Sequence, residues 1–271
     1  MQYLNAIILG LLQGLTEFLP VSSSGHLVLF QHFFSPPKTT NDITLEVVLH
    51  FGTLVAILVY FRYDLLDLLG SLFHWKKTVE SQKHFRNRMV IFYLAISTII
   101  TGVIYMLFGD KIEAMFSKPL IVAIFLSITG LIVFFSDMMK TNEIPLSNIG
   151  IGRSIIVGLG QGIAMLPGIS RSGTTIATSL YCGIKRADAA RFSFLLSIPA
   201  ILAANASEFR NIVHLQPSML LSYLLGALAA FISGYLVIDI LIRIIRSSNL
   251  KFFAYYCWTI SIVSIAFLVI H

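Results

Sequence analysis

Hydrophobic residues run from Tyr3 to Phe34 with a polar interruption in the middle. The interruption, Gln13–His26, reads Gln-Gly-Leu-Thr-Glu-Phe-Leu-Pro-Val-Ser-Ser-Ser-Gly-His. Each apolar arm beside it has about ten residues, roughly 15 Å of helix, which is half the thickness of a hydrocarbon core. Irregular polar backbone is tolerated at membrane depth only where protein or a wet cavity surrounds it. The pattern therefore predicts a re-entrant helix-loop-helix, and its intramembrane Glu17 indicates a functional site.

The rest of the chain alternates long apolar runs with hydrophilic stretches. A second segment, Ser154–Gly183, again has a polar middle and is predicted to re-enter. The uninterrupted apolar runs are 43–61, 89–108, 119–136, 192–207, 218–238 and 252–270. Each is near the length that crosses a bilayer as a helix. The pattern predicts an all-α polytopic membrane protein, a single membrane domain over residues 1–271, with loops at Arg62–Arg88 and Gly109–Lys118.

The two halves of the chain resemble each other. Gln13-Gly14-Leu15 matches Gln161-Gly162-Ile163, and Ser24-Gly25 matches Ser172-Gly173, each 148 positions later (161 − 13 and 172 − 24). Leu19-Pro20 matches Leu166-Pro167. We predict repeat one at about 1–140 and repeat two at about 150–271, each with one re-entrant element and three transmembrane helices. Three crossings per repeat invert the second half, and transporters with such inverted repeats place their sites between the halves.

Composition and charge fit this architecture. Hydrophobic residues make up 56% of the chain and charged residues 12%, which is typical of a membrane protein. The net charge of +6 does not indicate a nucleic-acid partner, because the basic residues lie in short segments between apolar runs. Two cysteines provide neither a disulfide framework nor a zinc pattern.

The basic residues also orient the chain. Outside the second re-entrant segment, which holds Arg171, they fall on two predicted sides, fourteen with the 62–88 segment and four opposite it. The fourteen are Arg62, Lys76, Lys77, Lys83, Arg86, Arg88, Lys140, Arg153, Lys185, Arg186, Arg191, Arg243, Arg246 and Lys251, and the four are Lys38, Lys111, Lys118 and Arg210. The positive-inside rule makes the larger set cytoplasmic, which places both termini outside the cell.

The second tip reads Pro-Gly-Ile-Ser-Arg-Ser-Gly-Thr-Thr over residues 167–175. In both tips a proline and serines precede a new half-helix, and the free N–H groups of a helix start bind anions. Arg171 adds a planar fork suited to phosphate, although it could instead pair structurally with Glu17. The tips predict a site for an oxygen-rich anion.

Glu17 would repel such an anion unless a divalent cation lies between them, and Gln13, one turn earlier, supplies a carbonyl ligand. Ser23 is a candidate nucleophile, and His26 a candidate acid, base or nucleophile. The serines could also serve only as helix caps. Glu46 and His50 share a helix face and could line the cavity or pair with each other.

These residues carry a resemblance. The two tip sequences, the length and the span pattern are similar to those of the bacterial undecaprenyl-diphosphatase family of the bacitracin-resistance type. The resemblance implies Gln13 and Glu17 at the metal, catalytic roles for Glu17, Ser23, His26 and Arg171, and further residues at the substrate. The substrate-binding set is Ser22, Ser24, Gly168, Ser170, Ser172 and Thr175. Gln13 stands where a glutamate is common, which leaves one fewer negative ligand.

The implied activity is hydrolysis of undecaprenyl diphosphate to undecaprenyl phosphate and inorganic phosphate, with Mg²⁺ or Ca²⁺ as cofactor. This recycles the lipid carrier for peptidoglycan synthesis and cell shape in the bacterial inner membrane, and a homodimer is a further expectation. The nucleophile stays open between Ser23, His26 and water. The alternative function on the same inverted repeats is a lipid-phosphate or anion transporter, or flippase.

Overall fold

A computed structural model describes residues 2–34, 43–73, 81–139, 143–212, 217–247 and 249–270. Within those ranges the chain forms α-helices, one short 3-10 turn and no strand beyond an isolated bridge. The helices are α1 (Gln2–Phe18), α2 (Ser23–Phe34), α3 (Ile43–Tyr60), α4 (Arg62–Phe73), α5 (Ser81–Phe116), α6 (Pro119–Asp137), α7 (Ile151–Ile163), α8 (Arg171–Tyr181), α9 (Arg186–Ile212), α10 (Pro217–Arg246) and α11 (Lys251–Ile270). The all-α prediction is confirmed. Lys38, Lys76, Lys77 and Lys140 lie outside the described residues.

Both predicted re-entrant elements are broken helix pairs. The first consists of α1 and α2, separated by residues 19–22, and the second of α7 and α8, separated by residues 164–170. The shortest of these helices, α8, has 11 residues, which is about 16 Å of rise. Neither break leaves a continuous helix across a bilayer, so both tips end inside the protein.

In the part of the chain that the structure describes, five helices are long and apolar enough to cross a membrane: α5, α6, α9, α10 and α11. The bent pair α3 and α4, whose axes differ by 73°, gives a sixth span if it is counted as one. The chain is therefore a multi-pass membrane protein. The predicted loops at Arg62–Arg88 and Gly109–Lys118 are largely wrong, because α4 occupies 62–73 and α5 extends from Ser81 to Phe116.

The physical reason for that error is that hydropathy marks where a chain leaves lipid, not where its helix ends. Charged residues beyond the apolar run are good helix formers, and no proline interrupts α5. An ion pair of 2.7 Å between Lys83 and Asp67 also joins its N-terminal turns to α4. Pro119 starts the next helix, α6.

The two halves pack through each other. α1 lies along α10, α7 lies along α5, and α6 packs against α11, so helices of the first predicted repeat pack against helices of the second. Gly14 and Gly158 lie at these contacts. A Cβ at Gly14 would collide with Ser233 and Ala230, and one at Gly158 would lie 2.8 Å from the Ser97 carbonyl oxygen. Small residues allow helices to approach closely in lipid. The division at about residues 140–150 stays a prediction.

The central core anchors the first tip. Phe18, the last residue of α1, is fully buried. Its ring meets that of Phe194 on α9 edge-on at 5.9 Å, and Phe61 packs against the same ring at 5.8 Å. Because Phe18 directly follows Glu17, its burial fixes the position of that carboxylate.

Candidate active site

The first tip is capped by Ser22. Its backbone φ is +68°, a left-handed conformation that reverses the chain before α2. The Ser22 hydroxyl accepts a hydrogen bond of 3.2 Å from the Gly25 N–H. Ser23 thereby becomes the first residue of α2, and its side chain stays available for another partner.

The second tip repeats this cap 148 positions later. The Ser170 hydroxyl accepts a bond of 3.0 Å from the Gly173 N–H, so Arg171 is the first residue of α8. Gly168 has a φ of +97°, and a Cβ there would collide with the carbonyl oxygen of Val122. Only glycine fits that position. Thr129 of α6 holds the turn by donating to the Gly168 carbonyl at 2.8 Å.

The two tips touch. A Cβ on Gly25 would lie 3.1 Å from the Gly168 Cα, and the Ser172 hydroxyl donates to the Leu19 carbonyl oxygen at 2.8 Å. The N-terminal ends of α2 and α8 therefore meet. This is the convergence that the sequence predicts for an anion site.

Glu17 lies at the centre of this junction with 8% of its surface exposed. The Ser23 hydroxyl donates to Glu17 Oε2 at 2.6 Å, and the Arg171 Nη2 donates to Oε1 at 2.6 Å. The Gln13 Nε2 donates to Oε2 at 3.0 Å. The first residue of each half-helix thus binds the same carboxylate, which holds Ser23, Arg171, Gln13 and Glu17 in one cluster.

His50 joins the cluster from α3. Its Nε2 lies 3.8 Å from Glu17 Oε2, and its side chain is 29% exposed. Its Nδ1 faces the Glu46 carbonyl oxygen at 2.8 Å and therefore carries the hydrogen. The Glu46 side chain pairs instead with Gln31, whose Nε2 donates to Glu46 Oε1 at 2.7 Å. The spacing of Glu46 and His50 indicated a cavity face but not that His50 faces Glu17.

His26 points away from the cluster. Its Nδ1 lies 2.8 Å from the Ser22 carbonyl oxygen and its Nε2 lies 2.9 Å from the Tyr256 hydroxyl. A carbonyl oxygen only accepts, so in the neutral ring Nδ1 carries the hydrogen and Nε2 accepts from Tyr256. The two rings are parallel within 4°. Both ring nitrogens have partners other than Ser23, and no motif in the sequence indicated Tyr256 of α11.

The remaining predicted contacts are hydroxyl groups that tie the tips together. Ser24 lies 3.3 Å from the Ser22 hydroxyl, and Ser172 lies 3.1 Å from the Ser170 hydroxyl. Thr175 shares a bond of 2.6 Å with Ser193 of α9. Their roles at the substrate stay predictions.

The residues at Glu17 suit a divalent cation. The Gln13 Oε1 is buried without a hydrogen-bond partner, which is costly unless something else binds it. A carboxylate, a carbonyl and substrate phosphate oxygens are the ligands that Mg²⁺ and Ca²⁺ prefer. Among the described residues no group of three or more His, Cys, Asp or Glu side chains could hold a metal. Phosphate oxygens of a bound ligand and water would complete the coordination of a cation held by Glu17 and Gln13.

Known sequences resemble this chain over nearly its whole length. The profile of the family described as bacitracin resistance protein BacA matches residues 6–263. The chain belongs to this family. An undecaprenyl-diphosphatase of Methanobrevibacter smithii is 41% identical over 97% of this chain and 96% of its own length. An undecaprenyl-diphosphatase of Halothermothrix orenii is 40% identical over 98% of both chains. Undecaprenyl-diphosphatase 1 of Shouchella clausii is 36% identical over 98% and 97%.

Proposed function

We propose that this chain is an integral membrane phosphatase that hydrolyses undecaprenyl diphosphate to undecaprenyl phosphate and inorganic phosphate. The observation that carries the proposal is the convergence of Ser23 and Arg171 on Glu17 at two facing helix starts. A nucleophile, a carboxylate that can take its proton, and a guanidinium for the phosphate are the groups that such a reaction needs. Membership of the BacA family and the names of the relatives support the substrate.

In this proposal the diphosphate displaces Glu17 from Arg171. The guanidinium and the N–H groups at the starts of α2 and α8 then hold the terminal phosphate, with Ser22, Ser24, Gly168, Ser170, Ser172 and Thr175 forming the surrounding tips. Ser23 Oγ, which donates to Glu17 Oε2 at 2.6 Å in the structure, attacks the terminal phosphorus while that carboxylate oxygen takes its proton. The bond from phosphorus to the bridging oxygen breaks and undecaprenyl phosphate leaves. Water then releases phosphate from Ser23.

Glu17 and the free Oε1 of Gln13 would hold Mg²⁺ or Ca²⁺, which would neutralise charge on the diphosphate. We assign His26 a role at the tip, where its Nδ1 hydrogen bond fixes the turn at Ser22. Its Nε2 carries the lone pair and meets a phosphoryl group only when Tyr256 turns away.

The proposed activity also implies a cellular setting. We place the protein in the bacterial inner membrane, where release of undecaprenyl phosphate recycles the carrier for peptidoglycan synthesis, cell wall biogenesis and cell shape. The description of the family as bacitracin resistance proteins supports antibiotic resistance as part of this setting. We include a homodimer in the proposal as its assembly state.

Phosphate release by purified protein in detergent tests this function, since hydrolysis needs no second compartment and transport does. We expect wild type to release phosphate from undecaprenyl diphosphate with Mg²⁺ or Ca²⁺ and to stop in excess chelator. The rate of phosphate release should fall a hundredfold or more in Glu17→Gln, which is about the effect of removing one charge-stabilising group. Glu113→Gln, an exposed site on α5, is the matched control and should keep full activity.

Two outcomes count against the proposal. If the folded protein releases no phosphate in detergent with any divalent cation, the phosphatase proposal is wrong and the transporter hypothesis is favoured. Full activity in excess chelator would contradict the metal requirement but not the phosphatase activity.

A further inference from the structure

Helix α4 is amphipathic, but its polar side faces the protein and its apolar side is exposed, the opposite of a helix in a soluble protein. Its polar residues Asp64, Asp67 and Ser71 share one side, three and four positions apart. That side faces protein: Asp67 lies 2.7 Å from Lys83 of α5, and Asp64 lies 2.9 Å from Arg191 of α9. Ser71 is fully buried. The polar side of α4 is therefore already occupied.

The opposite side is apolar and uncovered. Tyr63, Leu66, Leu69 and Phe73 form the apolar face of α4, and they are 71%, 66%, 54% and 82% exposed. Their spacings of three and four residues place them on one stripe of the helix. A continuous exposed stripe of this kind marks an interaction surface rather than scattered surface residues.

The direction of α4 selects what covers this face. Only Phe61 separates α4 from α3, and the two axes differ by 73°. With α3 running along the bilayer normal, a bend of 73° brings the axis of α4 close to the membrane plane. Exposed apolar residues continue from Val59 near the end of α3 to Tyr63 of α4, with Phe61 buried between them.

Charge points to the same occupant. The Arg62 guanidinium lies 4.4 Å from the centre of the Tyr63 ring, and this pairing of a basic and an aromatic side chain is typical of the boundary between lipid and water. Arg191, Lys83 and Arg243 lie at the same end of the molecule: Arg191 binds Asp64 and Lys83 binds Asp67 of α4, and Arg243 binds Asp239, which contacts Tyr60 of α3. These three ion pairs place charged groups at the end where α4 lies, which fits the boundary with water rather than the lipid core.

We propose that α4 lies in the membrane interface, parallel to the bilayer surface, with its apolar face in the acyl chains just beneath the headgroups. The partner is the lipid surface itself. The helix thereby holds the basic end of the protein at a fixed depth, and its polar side binds the extensions of α5 and α9 that leave the membrane. This inference does not depend on the catalytic proposal.

Nitroxide labels in vesicles measure the depth directly. A cysteine-free chain (Cys182→Ala, Cys257→Ala) receives single cysteines by Leu66→Cys or Phe73→Cys, seven residues apart on the apolar face. The labelled protein is placed in phosphatidylethanolamine–phosphatidylglycerol vesicles, and collision with oxygen and with a nickel chelate gives each depth. Leu131→Cys, an exposed site in the middle of α6, is the reference for the lipid core, and Glu113→Cys is the reference for water.

Seven residues correspond to about 10 Å of helix. We expect both α4 labels to collide with oxygen more than with nickel, to lie shallower than the label at Leu131, and to agree in depth to within half of that distance. A depth difference near the full 10 Å would show that α4 crosses the bilayer as part of a broken span and would overturn the proposal. Low collision with both reagents would show that a second copy or another protein covers the face, which also overturns it.

Discussion

Glu17 occupies the place where an anionic ligand would bind. Ser23 and Arg171 are the first residues of their half-helices and stand 148 positions apart (171 − 23), as do the caps Ser22 and Ser170. The duplicated scaffold therefore gives two equivalent helix starts, and the two side chains there make them chemically different. One start supplies a hydroxyl and the other a cation. Glu17 binds both of these side chains. The matching position in the second half holds Met165, so the second repeat has no carboxylate equivalent to Glu17 there.

The sequence predicts the members of this cluster better than their contacts. Gln13, Glu17 and Arg171 are identifiable because polar residues in apolar runs are costly and need a reason. The hydrogen bonds to His26 are not identifiable, because Tyr256 is 230 positions away and its position depends on how α11 packs. Helical spacing brings His26 near Ser23 in sequence, whereas the ring conformation turns its nitrogens to Ser22 and Tyr256.

We predict that Ser23 carries the phosphoryl group during turnover. Ser23→Ala should fall to near background, because it removes the hydroxyl that Glu17 binds at 2.6 Å. Ser24→Ala is the matched variant one residue on and should lose far less activity, since its hydroxyl lies 3.3 Å from that of Ser22 and not at Glu17. The measurement is a rapid quench with terminally labelled substrate, followed by phosphopeptide mapping.

The same experiment separates the alternatives left open by the sequence. Label on His26, whose Nε2 would have to leave Tyr256, would assign the nucleophile there. Robust turnover by Ser23→Ala without any labelled residue would indicate direct attack by water. Either result would leave Ser23 as a phosphate contact.

At the scale of elements, the broken helices and their packing follow from different signals. Pro20 and Pro167 with the serines after them predict both breaks, and the structure confirms them. The lengths of α4 and α5 are not predicted by hydropathy, because ion pairs such as Lys83 with Asp67 stabilise helix outside the long apolar runs. The exchange of α1 onto α10 follows from small residues on both helices, which a single sequence does not assign to each other.

We predict that α1 and α10 tolerate no methyl group at Gly14. A Cβ there would collide with Ser233 and Ala230 of α10, so Gly14→Ala should force the helices apart and cost about 1–3 kcal/mol, the usual effect of overpacking. Gly102→Ala is the matched control within α5, where nothing lies within 4 Å. It should be neutral or stabilising, because alanine is the better helix former by about 1 kcal/mol.

Thermal unfolding in detergent, followed by loss of helical signal or of monodisperse protein, compares the two variants. A melting temperature of Gly14→Ala equal to that of Gly102→Ala would contradict the close approach of α1 and α10.

At the scale of the whole molecule, contacts gather many of the basic residues at one end. Tyr60 at the end of α3 binds Asp239 near the end of α10 at 3.3 Å, and Asp137 at the end of α6 binds Arg186 at the start of α9 at 3.0 Å. The N–H of Lys251 at the start of α11 donates to Asp137 at 3.3 Å. The termini of six helices therefore share a face, since Arg191 of α9 also joins α4 to it.

This grouping supports the orientation predicted from charge. Basic residues are retained on the cytoplasmic side during insertion, so the end that holds Lys83 and Arg186 should face the cytoplasm. The far end holds Phe116 and Pro119, where α5 passes to α6, and Lys118 between them is exposed. We expect the site at Glu17 to lie within the membrane thickness, because the half-helices that form both tips are too short to cross a bilayer.

We predict that an impermeant maleimide added to intact cells labels a cysteine introduced by Lys118→Cys and not one introduced by Lys83→Cys, both in the cysteine-free chain. Lys83 is 63% exposed, so its protection would reflect the membrane barrier and not burial. Lysed cells are the control, in which both positions should be labelled. Labelling of Lys83→Cys alone in intact cells would show that the protein has the opposite orientation in the membrane. The active-site tip that begins α2 would then open toward the cytoplasm, and the tip that begins α8 toward the outside.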